Sequence, residues 1–298
     1  MNSSKKILVF GKNGQVGSAI LNILGDKAYG LDKITADFTK PDNISHIIEN
    51  QIPSAVINTA AYTMVDKAES EKDLAFLVNS ATPDAIANSC KKLNIPLIHY
   101  STDYVFDGSG SNPRQEDDKT SPLNHYGASK LAGEQQISAS GCNYLIFRTS
   151  WVYDSKGKNF FNTILRLGNE KEELRIVNDQ NGAPTYAEHL AKASITALNY
   201  ALAQKKFPSG IYNLCNSGAT TWYDFACAIL KQAKDAGLNF KVKSIIPIPS
   251  EQYPTPAQRP KNSKLDCTKA WSILKIKMPT WQEGLNQCME EYIASRKN

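Results

Sequence analysis

The sequence predicts an α/β fold: a doubly wound parallel Rossmann sheet with a smaller C-terminal domain. Three features carry this. Short unbroken apolar runs recur along the first half, helix-length amphipathic stretches separate them, and a glycine turn stands directly after the first run. Strands covered on both faces read as continuous apolar runs, and helices between them serve as the crossovers of a parallel sheet.

Taken in order, Ile7-Leu8-Val9-Phe10 is the first strand and Ser18–Leu24 the first helix. Tyr29 lies in a second, short strand-like stretch. Ala55-Val56-Ile57-Asn58 and Pro96-Leu97-Ile98-His99-Tyr100 are further buried strands, separated by a helix over Asp73–Lys92. A helix over Tyr126–Ser138 precedes a strand at Tyr144–Phe147, and Leu174–Val177 is predicted as a fifth buried strand of the series. Beyond about residue 150 the alternation breaks down. A helix at Ala187–Leu202, a strand at Ile211–Leu214 and a helix at Trp222–Ala236 follow. The segment Pro247–Pro260 carries five prolines in fourteen residues between folded-looking stretches, so it is read as a loop that wraps a site. The expected division is 1–150 for a Rossmann domain, completed by about 174–205, and 151–298 for a mainly substrate-binding domain.

Composition excludes several classes. At 298 residues, 41% hydrophobic and 21% charged, the chain is an ordinary globular protein of one or two domains. The net charge of +5 is scattered, with no basic run interleaved with aromatics, so no nucleic-acid partner is expected. Four apolar residues after Met1-Asn2-Ser3-Ser4-Lys5-Lys6 are too few for a signal-peptide core, and no run approaches the ~18 apolar residues of a membrane span. The six cysteines form no C-x-x-C and the four histidines are isolated. Reduced thiols, no bound metal and a cytoplasmic location are the expectations.

The chemistry is concentrated at strand ends. Gly11-Lys12-Asn13-Gly14-Gln15-Val16-Gly17 joins the first strand to the first helix. Glycines permit the tight turn and close backbone approach, and a helix N-terminus attracts a pyrophosphate, so this segment is read as a dinucleotide cradle. Its spacing is G-x-x-G-x-x-G. Asp32, 21 residues after Gly11, suits an adenosine ribose and argues for NADH; Lys33 beside it would receive the 2′-phosphate of NADPH, and the two readings compete. Asp37 and Phe38 would border the adenine. Small residues at Asn58-Thr59-Ala60-Ala61-Tyr62 end a strand where a backbone lies against a dinucleotide.

Tyr126 and Lys130 stand four apart in a predicted helix, one turn above the other. An ammonium beside a phenol favours the phenolate, so the lysine is expected to lower the tyrosine pKa and make a proton donor usable near neutral pH. Roughly one Tyr-x-x-x-Lys is expected by chance in such a chain, and a second occurs at Tyr29 and Lys33. Gly30 lies within that second pair, in a strand-like stretch, so its side chains would not stack on a helix. Thr102, at the end of the strand leading into Asp103-Tyr104-Val105-Phe106, is placed to hydrogen-bond a substrate oxygen.

The glycine turn, the Ser101–Phe106 run and Tyr126-x-x-x-Lys130 resemble the extended short-chain dehydrogenase/reductases. Four further stretches, 58–69, 147–153, 179–185 and 259–265, resemble the dTDP-4-dehydrorhamnose reductase branch, over residues 7 to about 285. That resemblance implies reduction, with NADPH or NADH, of the 4-keto group of dTDP-4-dehydro-β-L-rhamnose to dTDP-L-rhamnose, a precursor of bacterial surface polysaccharide such as the O-antigen of lipopolysaccharide. It implies Tyr126, Lys130 and Thr102 as catalytic residues. Ala60, Ala61, Tyr62, Thr63 and Tyr100 would line the cofactor together with Tyr126 and Lys130. Val65, Thr102, Asp103, Trp151 and Gln180 would meet the sugar nucleotide, with Arg259 on its diphosphate. Some relatives pair through a metal whose ligands include an acidic residue just after the glycine turn. Here Ser18, Ala19 and Ile20 stand there, a departure that counts against Mg2+-linked pairing and leaves a homodimer open. The neighbouring readings are a reductase or epimerase of another 4-keto nucleotide sugar, and a non-catalytic nucleotide-binding regulatory subunit; the intact Thr102, Tyr126 and Lys130 weigh against the latter.

Overall fold

A computed structural model describes residues 5–296. Residues 1–4, the start of the stretch read above for a leader, lie outside the described residues. In chain order the elements begin β1 (Ile7–Phe10), α1 (Gln15–Leu24), β2 (Ala28–Leu31), α2 (Pro41–Gln51), β3 (Ala55–Asn58), α3 (Lys72–Phe76), α4 (Thr82–Leu93), β4 (Leu97–Thr102), α5 (His125–Ser140) and β5 (Tyr144–Thr149). They continue with β6 (Val152–Tyr153), α6 (Phe160–Glu170), β7 (Glu173–Val177), β8 (Asn181–Gly182), β9 (Thr185–Tyr186), α7 (Ala187–Leu202), β10 (Gly210–Asn213), β11 (Thr220–Thr221), α8 (Trp222–Asp235), β12 (Ser244–Ile248), α9 (Thr268–Leu274) and α10 (Trp281–Ala294).

Six strands form one parallel sheet in the order β10-β5-β4-β3-β1-β2. The chain leaves β1 in one direction for β2 and then returns across it to β3, so the crevice beyond the carboxyl ends of β1 and β3 is the topological switch point where such sheets bind ligands. Side chains alternate between the two faces. Val9, Ile57, Ile98, Tyr100 and Phe147 point to α1, α7 and α9, while Leu8, Phe10, Val56, Leu97 and Ile146 point to α2, α4 and α5. A third core, built on Phe161, Leu165, Phe225, Ile229 and Leu285, joins α6, α8 and α10 beside β7 and β12.

Two expectations need correction. Leu174–Val177 is not a strand of the central sheet: β7 pairs in parallel with β12 in a separate two-stranded sheet, and β10 supplies the sixth central strand. Glu173 and Arg175 are exposed and Ile176 and Val177 only half-buried, so this run cannot be covered on both faces. The helix expected over 73–92 is three pieces, α3, a π-helical turn at Leu77–Ala81, and α4. The looser turn buries Asn79, while the Thr82 hydroxyl donates to the carbonyls of Phe38 and Leu77. Single π-turns of this kind often accompany functional sites. All six cysteines are free. Among the described residues, no helix is long and apolar enough to cross a membrane.

Candidate active site

The glycine turn leaves β1 at Gly11, whose φ is +84°. A Cβ there would lie 2.6 Å from Thr59 Oγ1 and 2.8 Å from the Ala60 amide, and one on Gly17 would lie 2.2 Å from the Gly11 carbonyl oxygen. Both positions need glycine for space, and Gly11 for conformation too. Gly14 is the N-cap of α1 and offers no side-chain cap, so the first amides of the helix keep their hydrogen-bonding capacity and their partial positive charge for an anion. A cradle this open at a helix N-terminus fits a pyrophosphate. Asn13 is exposed at its rim, and Val16 packs half-buried on the core. The Gln15 carboxamide reaches across to the later part of the chain, accepting from Asn159 Nδ2 at 2.8 Å.

Asp32 ends the second strand at the crevice, but its carboxylate is engaged. Lys12 Nζ lies 3.0 Å from Oδ2, while Oδ1 accepts from the amides of Ile34 and Thr35. The Lys12 ammonium, then Thr35, hold this carboxyl well below the usual range. Lys33 is exposed, and Lys12 is the lysine that pairs with the acid, so a second cation joins Asp32 and Lys33 at this corner. Asp37 accepts from Thr39, and the Phe38 ring is buried edge-on against Phe10 at 5.3 Å, so its side chain belongs to the core.

The segment after β3 runs along the same edge. Ala60 and Ala61 are half-buried, Thr63 is exposed and Val65 half-buried. Asn79, on the π-turn, holds this segment from both sides: its Oδ1 accepts from the Tyr62 amide at 2.8 Å and its Nδ2 donates to the Tyr62 carbonyl at 3.0 Å. The same Nδ2 reaches Ser129 Oγ on α5 at 3.0 Å. The Tyr62 ring packs in a small cluster that includes Tyr126, and its hydroxyl donates to Glu71. Tyr100 was expected to line the cofactor. Its ring packs on the face of the sheet covered by α1 and α7, in the core against Phe147, with its hydroxyl 2.7 Å from Ser194 Oγ on α7. Strand alternation sends His99 and Ser101, not Tyr100, toward α5.

Asn124 caps α5, its Oδ1 accepting from the Gly127 amide at 2.8 Å. Small residues bring this helix close to its neighbours: a Cβ on Gly127 would fall 2.2 Å from the Tyr104 carbonyl oxygen, and one on Gly133 2.1 Å from that of Asn79. Tyr126 therefore sits edge-on against Tyr104 and beside Thr102. Burial pushes its phenol up to about 12, against the opposing pull of the Thr102 hydroxyl. This overturns the expectation that Lys130 lowers the tyrosine. The lysine amine is turned to the sheet, 3.2 Å from His99 Nε2, and desolvation of the phenol governs. Burial also lowers Lys130 to about 8. Thr102 donates to Asp103 Oδ1 at 3.2 Å and accepts from the Tyr104 amide. Asp103 is buried, its Oδ2 has no partner, and burial raises it to about 7.

A cavity of about 1280 Å³ reaches this group at Tyr104, between β7, β12 and the proline-rich segment, with Phe160, Gln180, Trp222, Tyr253 and Arg259 also in its walls; Thr102, Tyr126 and Trp151 do not line it. Residues of the Pro247–Pro260 segment, which begins within β12, line this cavity. Gln180 faces the cavity, its Nε2 donating to Ser250 Oγ and its Oε1 accepting from the Trp222 indole. Arg259 is paired with Asp66. Trp151, at φ +50°, lies against Gly182, where a Cβ would come within 2.7 Å of the indole, and stacks on Trp222 at 3.6 Å. Trp222, read from the sequence only as a helix start, is thus the member of this indole pair that lines the cavity. Asn79 and His99 were also passed over, since each acts through a partner distant in sequence.

Residues 5–294 match the family described as RmlD substrate binding domain. The chain is 42% identical over 292 residues to dTDP-4-dehydrorhamnose reductase of Escherichia coli K12, covering 96% of this chain and 97% of that one. The chain belongs to the dTDP-4-dehydrorhamnose reductase family. It is also 41% identical to the reductase of that name from Burkholderia thailandensis, covering 97% and 99% of the two chains. The crystal structure of dTDP-4-dehydrorhamnose reductase from Bacillus anthracis in complex with NADP superposes with a TM-score of 0.89 at 33% identity, covering 97% of this chain and 99% of that one. The family's α/β fold with a central parallel sheet is the fold described above, and members of the family are oxidoreductases.

Proposed function

We propose that this chain reduces the 4-keto group of dTDP-4-dehydro-β-L-rhamnose with NADPH or NADH, giving dTDP-L-rhamnose for bacterial surface polysaccharide. The observation that carries the reading is that Thr102 and Tyr126 meet at the carboxyl end of β4, one helical turn from Lys130 and beside a cavity wide enough for a nucleotide sugar. Nicotinamide, when bound, supplies the hydride that adds to the sugar C4. The cradle formed by Gly11, Gly14 and Gly17 takes the pyrophosphate, with Ala60 and Ala61 along its edge.

Tyr126 gives its proton to the oxygen on C4. A phenol near 12 keeps that proton at neutral pH and releases it only to a base as strong as the developing alkoxide. Thr102 hydrogen-bonds the same oxygen and aligns it. Lys130, once charged, stabilises the phenolate left behind. Arg259 takes the diphosphate of the substrate, and Asp103, Val65, Gln180 and the Trp151–Trp222 stack hold the rest of the nucleotide sugar. The division of labour follows the chain: residues 1–150 with α7 and β10 bind the dinucleotide, and the remainder of 151–298 binds mainly the sugar nucleotide. A cytoplasmic enzyme, working alone or as a homodimer, completes the reading.

The test is oxidation of NADPH by the purified chain, followed by absorbance, with dTDP-4-dehydro-β-L-rhamnose and with other 4-keto nucleotide sugars. Turnover to dTDP-L-rhamnose is expected. Binding of both ligands without oxidation would overturn it.

A further inference from the structure

We infer that His99, oriented by Asn58, is the positioning residue for Lys130: its Nε2–H donates to the lysine nitrogen and favours its uncharged amine until an anionic ligand draws it away. His99 stands on β4 directly opposite Asn58 of β3. Both are 1% exposed and Lys130 is 2% exposed, so no bulk water intervenes. Asn58 Nδ2 lies 3.1 Å from His99 Nδ1, and His99 Nε2 lies 3.2 Å from Lys130 Nζ.

One proton arrangement satisfies this chain. Asn58 Oδ1 accepts the Ala60 backbone amide at 3.1 Å. A backbone N–H can only donate, so the Asn58 carboxamide cannot be reversed, and its NH2 faces the imidazole. Nδ1 must then accept, which leaves the single proton of a neutral imidazole on Nε2. That N–H points at Nζ. An ammonium has no lone pair to receive it; an amine has. Charging Lys130 in place would set two donors head to head in a buried site, at a cost of the kind that unpaired buried polar groups incur.

The surrounding charges agree. An imidazolium is disfavoured because burial, and then Lys130, push His99 well below its usual range. On α5 Glu134 favours a charged lysine, but Arg148 of β5 holds that carboxylate on both oxygens, at 2.9 and 2.7 Å. β3 presents only the Asn58 amide to the imidazole. A dinucleotide brings negative charge to this edge of the sheet, so its binding is coupled to uptake of a proton by Lys130. The consequence for turnover rests on the reductase reading; the proton arrangement does not.

The experiment uses the full chain labelled with 15N-histidine at about pH 9, above the lysine value of about 8. Four histidines are present, and His99→Gln assigns the signal. Long-range 1H–15N spectra are expected to show Nε2 protonated and Nδ1 bare; a proton on Nδ1, or an imidazolium, overturns the inference. Calorimetry of NADPH binding at the same pH, in two buffers of different ionisation heat, is expected to give uptake of about one proton, and uptake near zero overturns it. Asn58→Asp still accepts from Ala60 but now accepts from Nδ1–H as well. It is expected to reverse the tautomer and abolish the uptake, and an unchanged tautomer in this variant also counts against the inference. Should that variant not fold, the two wild-type measurements decide. A chain with the expected tautomer and uptake that fails to reduce the keto sugar sinks the reductase reading alone; a working reductase with Nδ1–H sinks this inference alone.

Discussion

Arg259 grips Asp66 with both ends of its guanidinium, Nη1 3.1 Å from Oδ1 and Nη2 2.9 Å from Oδ2. The pair ties the proline-rich segment to the loop after β3, and the Ala257 amide adds a third bond to the same carboxylate at 3.2 Å. The arginine holds the Asp66 carboxyl below its usual range. The planar fork that meets the carboxylate is also the group that matches a diphosphate, so in the proposed reaction Asp66 and the substrate compete for one partner.

Arg259→Ala is expected to raise KM for the nucleotide sugar by roughly 10- to 100-fold, the range of a hydrogen bond to a charged group, and to leave NADPH affinity unchanged. Arg259→Lys recovers part of the loss, because an ammonium cannot present the fork. Asp66→Ala is expected to move KM in the opposite direction to Arg259→Ala. Steady-state kinetics at low and high ionic strength decide, and equal shifts of the same sign in both variants would show that the ion pair only braces the loop.

Tyr126→Phe removes the acid and keeps the ring. General acid catalysis contributes ~10²–10⁴-fold, so turnover is expected to fall by that factor with NADPH binding intact. Tyr29→Phe is the control. Its hydroxyl is buried on β2 without a partner, so activity is expected to stay near wild type. A residual rate above about a tenth in Tyr126→Phe would remove the phenol from the mechanism.

The contrast between these two tyrosines shows what the sequence could convey. Tyr126 was recognisable because it stands one helical turn from Lys130, whereas Gly30 interrupts the Tyr29 pair, and such signals are local. β1, β3, β4 and β5 were legible for the same reason, each being an unbroken apolar run between turn residues. Where β7 goes was not legible: its membership depends on which partner covers its second face, and Ser244–Ile248 lies some seventy residues away. The direction of the Tyr126 shift was misjudged because sequence spacing shows that Lys130 is near but not how deeply the phenol is buried. Trp222 and Asn79 carry no motif, and only the assembled cavity and the π-turn reveal what they touch.

Asp103 gives a pH signature. Its carboxyl is raised to about 7 by burial, from 3.8. The folded chain therefore keeps this proton over a range where the unfolded chain loses it. Stability from the neutral acid is full below about pH 4 and is lost as pH rises toward 7, by roughly 4 kcal/mol at most. Asp103→Asn keeps an acceptor for Thr102 and cannot ionise. Urea unfolding across this range is expected to show the difference between wild type and variant shrinking or reversing as pH rises; a constant difference would mean Asp103 is ionised throughout.

Nicotinamide preference is expected to be loose, with catalytic efficiencies for NADPH and NADH within ~100-fold, or about 2.8 kcal/mol. Asp32 disfavours a 2′-phosphate, and Lys12, 3.0 Å away, offsets it. Lys12→Met is expected to lower efficiency with NADPH more than with NADH, Asp32→Asn to do the reverse, and Lys33→Met to do little. A strong effect of Lys33 with none of Lys12 would show that the exposed lysine meets the ribose instead.

Trp151 and Trp222 should behave as a unit in binding the nucleotide sugar. Their rings stack at 3.6 Å and 13°, Phe160 lies against Trp222 at 4.5 Å, and Gly182 leaves room behind Trp151. Trp222 faces the cavity, so Trp151 acts on the substrate largely by holding Trp222 in place, and the Trp222 indole in turn fixes the Gln180 carboxamide. An aromatic pair contributes ~0.5–1.5 kcal/mol beyond its burial. Trp222→Ala is expected to raise KM for the nucleotide sugar more than Trp151→Ala, and the double variant to be no worse than Trp222→Ala within a factor of about two, since contacting residues are not additive. Neither effect should depend on salt, because packing rather than charge is lost. Additive effects in the double variant would mean that each indole meets the substrate on its own.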